Sequence, residues 1–387
     1  MMNRGYVFLS NSTKPSFEEN NSREKIILTN VSEPCLTSAL EMNYNVYFGV
    51  NRNNPENIEC ELPINLYDSH TYRSLFNIKD NIIAYNNLDK IIKKNNINVI
   101  HCNTPIGGCI GRLCGRKNKV NKIIYTAHGF HFYKGAPLIN NLLYKFAEKI
   151  MAHWTDVIIT MNEEDFEAAK KFHLKNNGRV YLVHGVGISL DKFENPNNRM
   201  KKRKELGIKE NDFMIISAGD LIARKNYATA IKAISLLKNK NIHYFICGKG
   251  NEEKKLKKLS KKYNIESQIH FLGYRKDVKD LLFAADLFLL TSKQEGLPRS
   301  LMEAMASGLP CVTSKIRGNV DVLDDNEGGL LYEYNDIIGF SKGINKLAND
   351  DKLCERMKKY NLEKIKQYDI NIVKQEIKNI YKENINF

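Results

Sequence analysis

The sequence contains no apolar run of about 18 or more residues, so we predict that no segment spans a membrane. Its N-terminal apolar stretch, residues 6–9, is too short for the core of a signal peptide. None of its eight cysteines forms a C-x-x-C pair, which argues against a zinc ribbon or a dithiol redox site. Cys247 and Cys311 lie within apolar runs, where free cysteine behaves as a small hydrophobic residue. We therefore expect a cytoplasmic protein whose cysteines belong to its core.

The sequence also lacks a dinucleotide-binding fingerprint. The G-x-G-x-x-G pattern, with an acidic residue about 20 positions later, occurs in neither half of the chain. Residues 248–250 form only a G-x-G turn, which is weak by itself. This absence argues against a dinucleotide-dependent dehydrogenase.

Acidic residues are few relative to basic ones: 44 Asp and Glu stand against 59 Lys and Arg, a formal net charge of +15. Nucleic acid, an anionic membrane surface or a phosphorylated substrate could each favour such a charge. The sequence has no zinc-finger spacing, RNP-type aromatic run or KH-type loop, so we expect no nucleic-acid partner. Frequent Lys, Asn and Ile throughout the chain make part of this charge compositional.

Short apolar segments alternate with helical segments, which predicts βαβ units and parallel sheets covered on both faces. In the first half the predicted strands are 6–9, 45–49, 98–102, 122–126, 157–160 and 180–184, and the predicted helices are 75–95, 107–117, 138–153 and 163–172. In the second half the predicted strands are 213–218, 243–247, 269–272, 287–291 and 311–313, and the predicted helices are 227–238, 252–263, 278–284, 299–307 and 338–349. Asn162 is the predicted N-cap of helix 163–172.

The predicted fold class is therefore α/β, with two Rossmann-like, doubly wound parallel-sheet domains facing across a cleft. We predict domains at 1–190 and 211–369, joined by a polar linker at 191–210. A final helical segment, 370–387, has no strand after it, and packing against the N-terminal domain is one option for it. Ligands are expected at the carboxyl ends of the strands.

The segment 291–310 carries the strongest chemical signal in the chain. A strand ends, a glycine-containing turn follows, and Pro298 stands where a helix begins. Gly308 is placed to end that helix. Glu295 lies in the turn, and Glu303 lies about one and a half turns into the helix. Backbone N–H groups at the helix start suit a phosphate, and carboxylates can accept hydrogen bonds from sugar hydroxyls.

This segment resembles the E-x7-E motif of glycosyltransferase family 4, whose members are retaining enzymes of the GT-B fold. Further similarities lie at residues 219–226, like the family's diphosphate turn, and at 271–275, like its base-binding loop. Residues 284–287 resemble the strand that enters the motif, and 125–131 resemble the segment with the N-domain active-site histidine. Stretch 127–133, Ala-His-Gly-Phe-His-Phe-Tyr, is similar to bacterial capsule, O-antigen and exopolysaccharide enzymes.

The resemblance implies roles for particular residues. Lys225 and Arg224 would neutralise the diphosphate leaving group, Glu295 would accept from the donor sugar, and His128 would orient the sugar. Glu303 would accept from the ribose hydroxyls. The implied donor-binding set is Gly219, Arg224, Lys225, Gly273, Tyr274, Arg275, Glu295, Gly296, Leu297, Pro298 and Glu303, and the acceptor-side candidates are His131, Lys134 and Arg112.

One position departs from the family pattern. Many relatives carry Arg directly after the glycine of the diphosphate turn, whereas this chain has Asp220. Arg224 is the candidate to replace that cation.

The chain has no Asp-x-Asp triplet, the carboxylate motif with which glycosyltransferases of the other common fold hold a divalent metal. We therefore expect a metal-independent enzyme without a cofactor. The resemblance implies retention of anomeric configuration, and same-face internal return is the favoured hypothesis, because no N-terminal carboxylate stands out as a nucleophile.

The N-terminal domain is expected to bind the acceptor and the C-terminal domain the nucleotide-sugar. The middle of the N-terminal domain is basic, and helix 138–153 carries apolar residues at helical spacing. This helix could contact an anionic membrane surface or could be ordinary core. The family resemblance favours a UDP-sugar donor, an undecaprenyl-diphosphate-linked saccharide acceptor and a peripheral position on the inner face of the cell membrane. A sugar-nucleotide epimerase on the same fold and a non-catalytic polysaccharide-binding protein are the alternatives.

Overall fold

The computed structural model describes residues 4–9, 16–20, 23–27, 31–52, 55, 58–71, 77–194 and 199–385. The chain divides into two compact units. The first comprises Met1–Gly187 and Ile370–Phe387, and the second comprises Ile188–Asp369.

The first unit is built on a seven-stranded parallel sheet in the order β5-β4-β1-β6-β7-β8-β9. The strands of this unit, including an antiparallel pair β2–β3 outside the main sheet, are β1 (Gly5–Leu9), β2 (Ser16–Asn20), β3 (Arg23–Ile27), β4 (Asn45–Val50), β5 (Asn65–Asp68), β6 (Ile97–Asn103), β7 (Lys122–Ala127), β8 (Val157–Thr160) and β9 (Arg179–Leu182). Its first helices are α1 (Glu33–Glu41), α2 (Ile78–Lys94), α3 (Pro105–Lys117), α4 (Leu138–Ala152) and α5 (Glu163–Ala169).

The second unit has a six-stranded parallel sheet in the order β12-β11-β10-β13-β14-β15. Its strands are β10 (Phe213–Ala218), β11 (Ile242–Cys247), β12 (Ile269–Gly273), β13 (Leu287–Leu290), β14 (Cys311–Ser314) and β15 (Gly329–Tyr332). Its helices are α6 (Arg199–Glu205), α7 (Tyr227–Ser235), α8 (Glu253–Lys262), α9 (Val278–Ala284), α10 (Arg299–Ala306), α11 (Asn319–Val322), α12 (Ile337–Leu347) and α13 (Asp351–Lys364).

Burial explains why the central strands were readable from the sequence. Every residue of β1, β8 and β13 is buried, as expected for strands covered by helices on both sides. The predicted cap is confirmed, since the side chain of Asn162 accepts a hydrogen bond from the backbone N–H of Asp165 at 2.9 Å. The α/β architecture with two parallel sheets is therefore confirmed.

Two strands at sheet edges were not predicted. Strand β5 is only partly buried, and β15 is a four-residue segment that begins with glycine. An edge strand pairs on one side only, so it needs no continuous apolar run and its sequence signal is weak.

The predicted linker at 191–210 is wrong for the residues that the structure describes there. Helix α6 belongs to the second unit, and Arg203 is 1% exposed. Its guanidinium donates to the carbonyl oxygen of Ala284 and to the carboxylate of Asp286, at 3.0 and 3.1 Å. The basic run that suggested a solvated linker thus contains an arginine that is buried within the second unit. Residues 195–198 lie outside the described residues.

The chain returns to the first unit through its last helix, α14 (Ile370–Ile385). The Tyr381 hydroxyl lies 2.6 Å from that of Tyr6 and 2.5 Å from Nδ1 of His101. Burial lowers the pKa of His101 to about 3, so this ring stays neutral at physiological pH. A buried hydrogen-bonded cluster therefore attaches α14 to β1 and β6.

In the described part of the chain, no helix is long and apolar enough to cross a lipid bilayer.

Candidate functional site

The second sheet reverses its strand order between β10 and β13, which pair side by side at its centre. Connections from these two strands run in opposite directions, so the loops after their carboxyl ends leave room for a ligand. The sequence-predicted turn at 219–226 follows β10, and the segment with Glu295 follows β13. The fold therefore brings the two main motifs to the same edge.

Close backbone packing shapes the turn after β10. A Cβ atom on Gly248 would lie 2.0 Å from the carbonyl oxygen of Gly219, and one on Gly250 would lie 2.2 Å from that of Leu221. Glycine is therefore required at both positions of the G-x-G turn. The Tyr227 hydroxyl donates to the Gly219 carbonyl oxygen at 3.0 Å and holds the turn from the other side.

Lys225 and Arg224 both bind the carboxylate of Glu295. Nζ of Lys225 lies 2.7 Å from Oε1, and Nη1 of Arg224 lies 3.3 Å from Oε2. Glu295 is 6% exposed, the Lys225 side chain is 11% exposed and that of Arg224 is 46% exposed. Folding thus brings the predicted site residues Arg224 and Lys225 to Glu295, which lies about 70 positions later in the sequence. The carboxylate holds two cations at the edge of the sheet.

The segment after Glu295 starts a helix as predicted. Pro298 is the N-cap of α10, and Gly308 follows its end with a φ of +73°. Leu297 packs against the core, while Gly296 touches another turn. A Cβ atom on Gly318 would lie 2.4 Å from the Gly296 carbonyl oxygen, so Gly318 is needed for that close approach.

Glu303 lies apart from the Glu295 cluster in its contacts. Its Oε1 accepts from Nε of Arg299 at 2.9 Å, an i,i+4 pair on one face of α10. Both residues line a pocket whose other charged side chains are the cations Lys192, Lys276 and Lys279. This pocket thus combines a carboxylate that can accept hydrogen bonds with several cations. Such a combination suits a ligand that carries both hydroxyl groups and negative charge.

The loop after β12 carries the remaining predicted donor residues. Gly273 has a φ of +65°, and its carbonyl oxygen accepts from the backbone N–H of Gly248 at 2.7 Å. Tyr274 is 69% exposed. Arg275 donates to Asp277 and Glu205, and its hydrogen bonds hold the pKa of the Asp277 carboxyl well below its usual range. The Arg275 side chain is thus held between Asp277, two residues later, and Glu205 at the end of α6.

In the first unit, His128 follows the carboxyl end of β7. Its Nε2 donates to Oδ1 of Asn103, the last residue of β6, at 3.2 Å. Both side chains line a mostly apolar pocket at the ends of the central strands. Asn103 is 1% exposed, and its Nδ2 has no hydrogen-bond partner among the described residues. The next residue, Thr104, has a φ of +63°, which is strained for a β-branched side chain.

The acceptor-side candidates differ in accessibility. His131 and Lys134 are exposed, and Lys134 lines a second pocket of the first unit together with Lys145 and Glu164. The prediction that Arg112 contacts the acceptor is wrong. Its side chain is 0% exposed, and it pairs with Glu148 at 2.7 Å.

The surroundings of Arg112 explain that correction. Nε donates to the Gly108 carbonyl oxygen at 2.9 Å, and the guanidinium lies 3.9 Å from the centroid of the Tyr125 ring. A guanidinium that is enclosed in this way can reach no ligand. The sequence showed its charge but not the carboxylate that neutralises it.

For three residues of these sites no role was predicted from the sequence, although one of them, Asn226, lies in the predicted diphosphate turn 219–226. Asn103 supports His128, Nε of Arg317 donates to the Glu295 carbonyl oxygen at 3.3 Å, and Nδ2 of Asn226 donates to the Thr291 carbonyl oxygen at 3.0 Å. A usable signal was their position, since each follows or ends a predicted strand. Among the described residues, no group of three or more His, Cys, Asp and Glu side chains is placed to hold a metal ion.

Two family models match this chain. Residues 198–364 match the family model described as glycosyl transferases group 1, and residues 33–162 match the one described as glycosyl transferase 4-like. EpsD of Bacillus subtilis (strain 168), named as a glycosyltransferase, is 34% identical over 283 residues, which are 72% of this chain and 74% of EpsD.

A second relative has a more specific name. The UDP-Gal:α-D-GlcNAc-diphosphoundecaprenol α-1,3-galactosyltransferase of Escherichia coli is 32% identical over 280 residues, 70% of this chain and 71% of that enzyme. Among solved structures, Anabaena Alr3699/HepE in complex with UDP-glucose superposes with a TM-score of 0.77 at 17% identity, covering 98% of this chain and 99% of that one.

The structural likeness establishes a GT-B fold, and the sequence relatives establish an enzyme of sugar transfer. The chain therefore belongs to the group 1, family-4-like glycosyltransferases.

Proposed function

We propose that this enzyme transfers a hexose or N-acetylhexosamine from a UDP-sugar to an undecaprenyl-diphosphate-linked saccharide in the assembly of a bacterial surface polysaccharide. The observation that carries the proposal is the Lys225–Glu295–Arg224 cluster at the switch point of the second sheet. Support for the acceptor class comes from the E. coli relative, which acts on a diphosphoundecaprenol-linked sugar with UDP-Gal.

The donor diphosphate would bind next to Lys225. An ammonium group has three N–H donors, and in the described part of the chain Lys225 uses one of them, toward Glu295. Two donors remain for phosphate oxygens. Because the carboxylate holds Nζ in place, the cation needs little reorganisation when negative charge develops on the leaving diphosphate.

The nucleoside would occupy the pocket of Glu303 and Arg299. Ribose hydroxyls are donors, and the Glu303 carboxylate has acceptor capacity beyond its single bond to Arg299. Lys276 and Lys279 in the same pocket would attract the phosphates. The uridine assignment rests on family habit and on the donor of the E. coli relative.

The reaction would retain anomeric configuration and need no metal ion. The bond from the anomeric carbon to the diphosphate oxygen breaks, and the diphosphate takes the electron pair. The acceptor hydroxyl oxygen bonds to the carbon from the same side, and its proton passes to the departing diphosphate oxygen. The cations Lys225 and Arg224 would stabilise the charge that metal-dependent enzymes leave to a divalent ion. His128 would orient the sugar, with Asn103 holding its ring.

A transfer assay tests this proposal. The full chain is incubated with a panel of UDP-, GDP- and ADP-sugars and an undecaprenyl-diphosphate-linked monosaccharide, with and without EDTA. We expect transfer from a UDP-sugar that EDTA does not reduce, and NMR of the product should show the anomeric configuration of the donor. An inverted linkage would refute retention, an EDTA-sensitive rate would refute metal independence, and no transfer from any donor would refute the proposed substrate class.

We also propose that the enzyme works at the anionic inner surface of the cell membrane, since its acceptor would be anchored there. The net charge of +15 favours such a surface.

A further inference from the structure

Helix α4 presents an apolar face that no other described element of the first unit covers. Its most exposed apolar side chains are Leu138 at 85%, Ile139 at 72%, Leu142 at 74%, Leu143 at 62%, Phe146 at 63% and Ile150 at 40%. Contiguous exposed apolar surface of this kind marks an interaction site. The alternative that helix 138–153 is ordinary core is therefore wrong.

The helix is nevertheless firmly attached to its unit. Only Glu148, Met151 and Ala152 of α4 are buried, and all three lie near its C-terminal end. Glu148 pairs with the buried Arg112 of α3, and the Cys109 thiol of α3 lies 3.4 Å from the Met151 sulfur. The C-terminal end of α4 is thus attached to α3 by buried contacts, while its apolar face is exposed.

Positive charge borders this apolar face. Lys145 and Lys149 are exposed on α4, and the adjacent α3 exposes Leu113, Arg116 and Lys117. Residues 105–117 and 138–152 are all described, and they present no exposed carboxylate. The single acidic residue of α4, Glu148, is buried against Arg112. Apolar and cationic side chains are therefore exposed together on two helices that expose no carboxylate of their own, although Lys117 pairs with the Asp89 carboxylate of α2 at 3.5 Å.

We propose that the exposed face of α4 inserts into the boundary between headgroups and acyl chains of an anionic lipid membrane. The apolar side chains would enter the acyl region, and the flanking lysines would contact anionic headgroups. A helix of 15 residues is about 22 Å long, shorter than the roughly 30 Å hydrocarbon core, so α4 would lie along the surface. A symmetric dimer through this face would bring the lysines of two copies together, which opposes self-association.

This inference rests on the proposed lipid-linked acceptor, whose membrane the enzyme must reach. It goes beyond that proposal by naming α4 as the helix that contacts the membrane and the headgroup–acyl boundary as the depth that α4 reaches.

Vesicle sedimentation of the full chain tests the assignment. Vesicles of phosphatidylcholine with about a third phosphatidylglycerol are compared with pure phosphatidylcholine. The main variant is L142S/F146S, and K145S/K149S removes charge alone. The matched control is L236S/I338S, which alters two similarly exposed apolar residues of the second unit, at 55% and 60%. Thermal unfolding of each variant checks that exposed substitutions leave the fold intact.

We expect wild type and L236S/I338S to bind anionic vesicles equally. L142S/F146S should bind about 100-fold more weakly, because two large side chains no longer enter the bilayer. K145S/K149S should bind anionic vesicles about 10-fold more weakly at low salt, and its preference for anionic over neutral vesicles should be smaller. Wild-type protein that stays in solution with anionic vesicles would overturn the assignment, as would equal binding by L142S/F146S.

Light scattering tests whether a second copy of the chain, instead of a membrane, covers this face. A stable dimer that L142S/F146S converts to monomer would show that the face is a contact between copies of the chain, and would also overturn the assignment. Failure of the proposed function gives a different pattern, since an enzyme with no transfer activity can still sediment with vesicles through α4. If the enzyme transfers sugar but its vesicle binding is unchanged by the substitutions in α4, the assignment of α4 is refuted and the proposed function is not.

Discussion

A cation–carboxylate pair occurs in each unit with the same 2.7 Å separation and different surroundings. Arg112 and Glu148 lie between α3 and α4 of the first unit, where the arginine is 0% exposed and also bonds to Gly108. Lys225 and Glu295 lie at the carboxyl edge of the second sheet, where the lysine retains donors for a ligand. Charge and pairing alone therefore do not identify a functional cation; the position of Lys225 on the sheet and its remaining donors are the grounds on which we propose it as one.

The largest expected effect comes from breaking the structural pair by removing its cation alone. Arg112→Met should lower the free energy of unfolding by about 3–5 kcal/mol, because it leaves the buried Glu148 carboxylate without its cationic partner. Urea unfolding measures this. Replacing both residues, R112M/E148L, should recover most of the loss. A single variant of unchanged stability would contradict the structural role of Arg112.

Lys225→Ala should act on the rate instead. We expect kcat for sugar transfer to fall by about 100- to 1000-fold, since the developing charge on the diphosphate loses its closest fixed cation. Stability should fall less than in Arg112→Met, because Arg224 still pairs with the Glu295 carboxylate at 3.3 Å. Lys293→Ala is the matched control, because that lysine is exposed in the same region, and its rate should stay near wild type. Equal losses in both variants would remove the distinction between the two cations.

In the first unit the group expected to act on the sugar is the ring of His128. His128→Ala should lower kcat by about 100-fold without a large change in donor KM. His173→Ala, at an exposed ring, is its control. A wild-type rate in His128→Ala would leave the first unit without a residue near the reaction.

A smaller effect is expected at the second glutamate of the E-x7-E segment. Glu303→Gln should raise KM for the UDP-sugar about tenfold and leave kcat nearly unchanged, because a charged acceptor for ribose hydroxyls becomes neutral. Glu333→Gln, at an exposed position of the same unit, should match wild type. A loss confined to kcat would place Glu303 at the reacting sugar instead of the nucleoside.

The smallest effect concerns an ion pair that holds α14 on the first unit. Nδ1 of His184 lies 2.6 Å from Oε1 of Glu376, and the hydrogen bond to Glu376 raises the pKa of His184. Its stabilisation is thus fully present below the unfolded value of about 6.5 and is lost as pH rises through the raised pKa. We expect a contribution below about 1 kcal/mol, because the ring is 41% exposed.

Urea unfolding of wild type and His184→Gln at pH 5.5 and pH 9 measures this pair. The difference in stability between the two proteins should be larger at the lower pH. A difference that grows with pH would contradict the sign of the pKa shift.

Sequence reasoning was most accurate where local pattern and burial coincide. Strand 157–160, strand 213–218 and helix 278–284 were predicted with the bounds of β8, β10 and α9. The turn chemistry around Pro298 and Gly308 was also readable, because proline and glycine have position-specific backbone preferences. The edge strands β5 and β15 and the helix α6 were missed, since their residues meet the core only through contacts that are distant in sequence.

The sequence by itself determined the alternating α/β order, the two-sheet architecture and the start of a helix between Glu295 and Glu303. Periodicity and turn residues are local properties, and they suffice for those conclusions. Only the tertiary structure decided that Glu295 joins Lys225 and Arg224, that Arg112 is enclosed by Glu148, and that the apolar face of α4 remains uncovered. Each of these depends on which distant element packs against a residue, and a local pattern specifies an apolar or charged face but not what covers it.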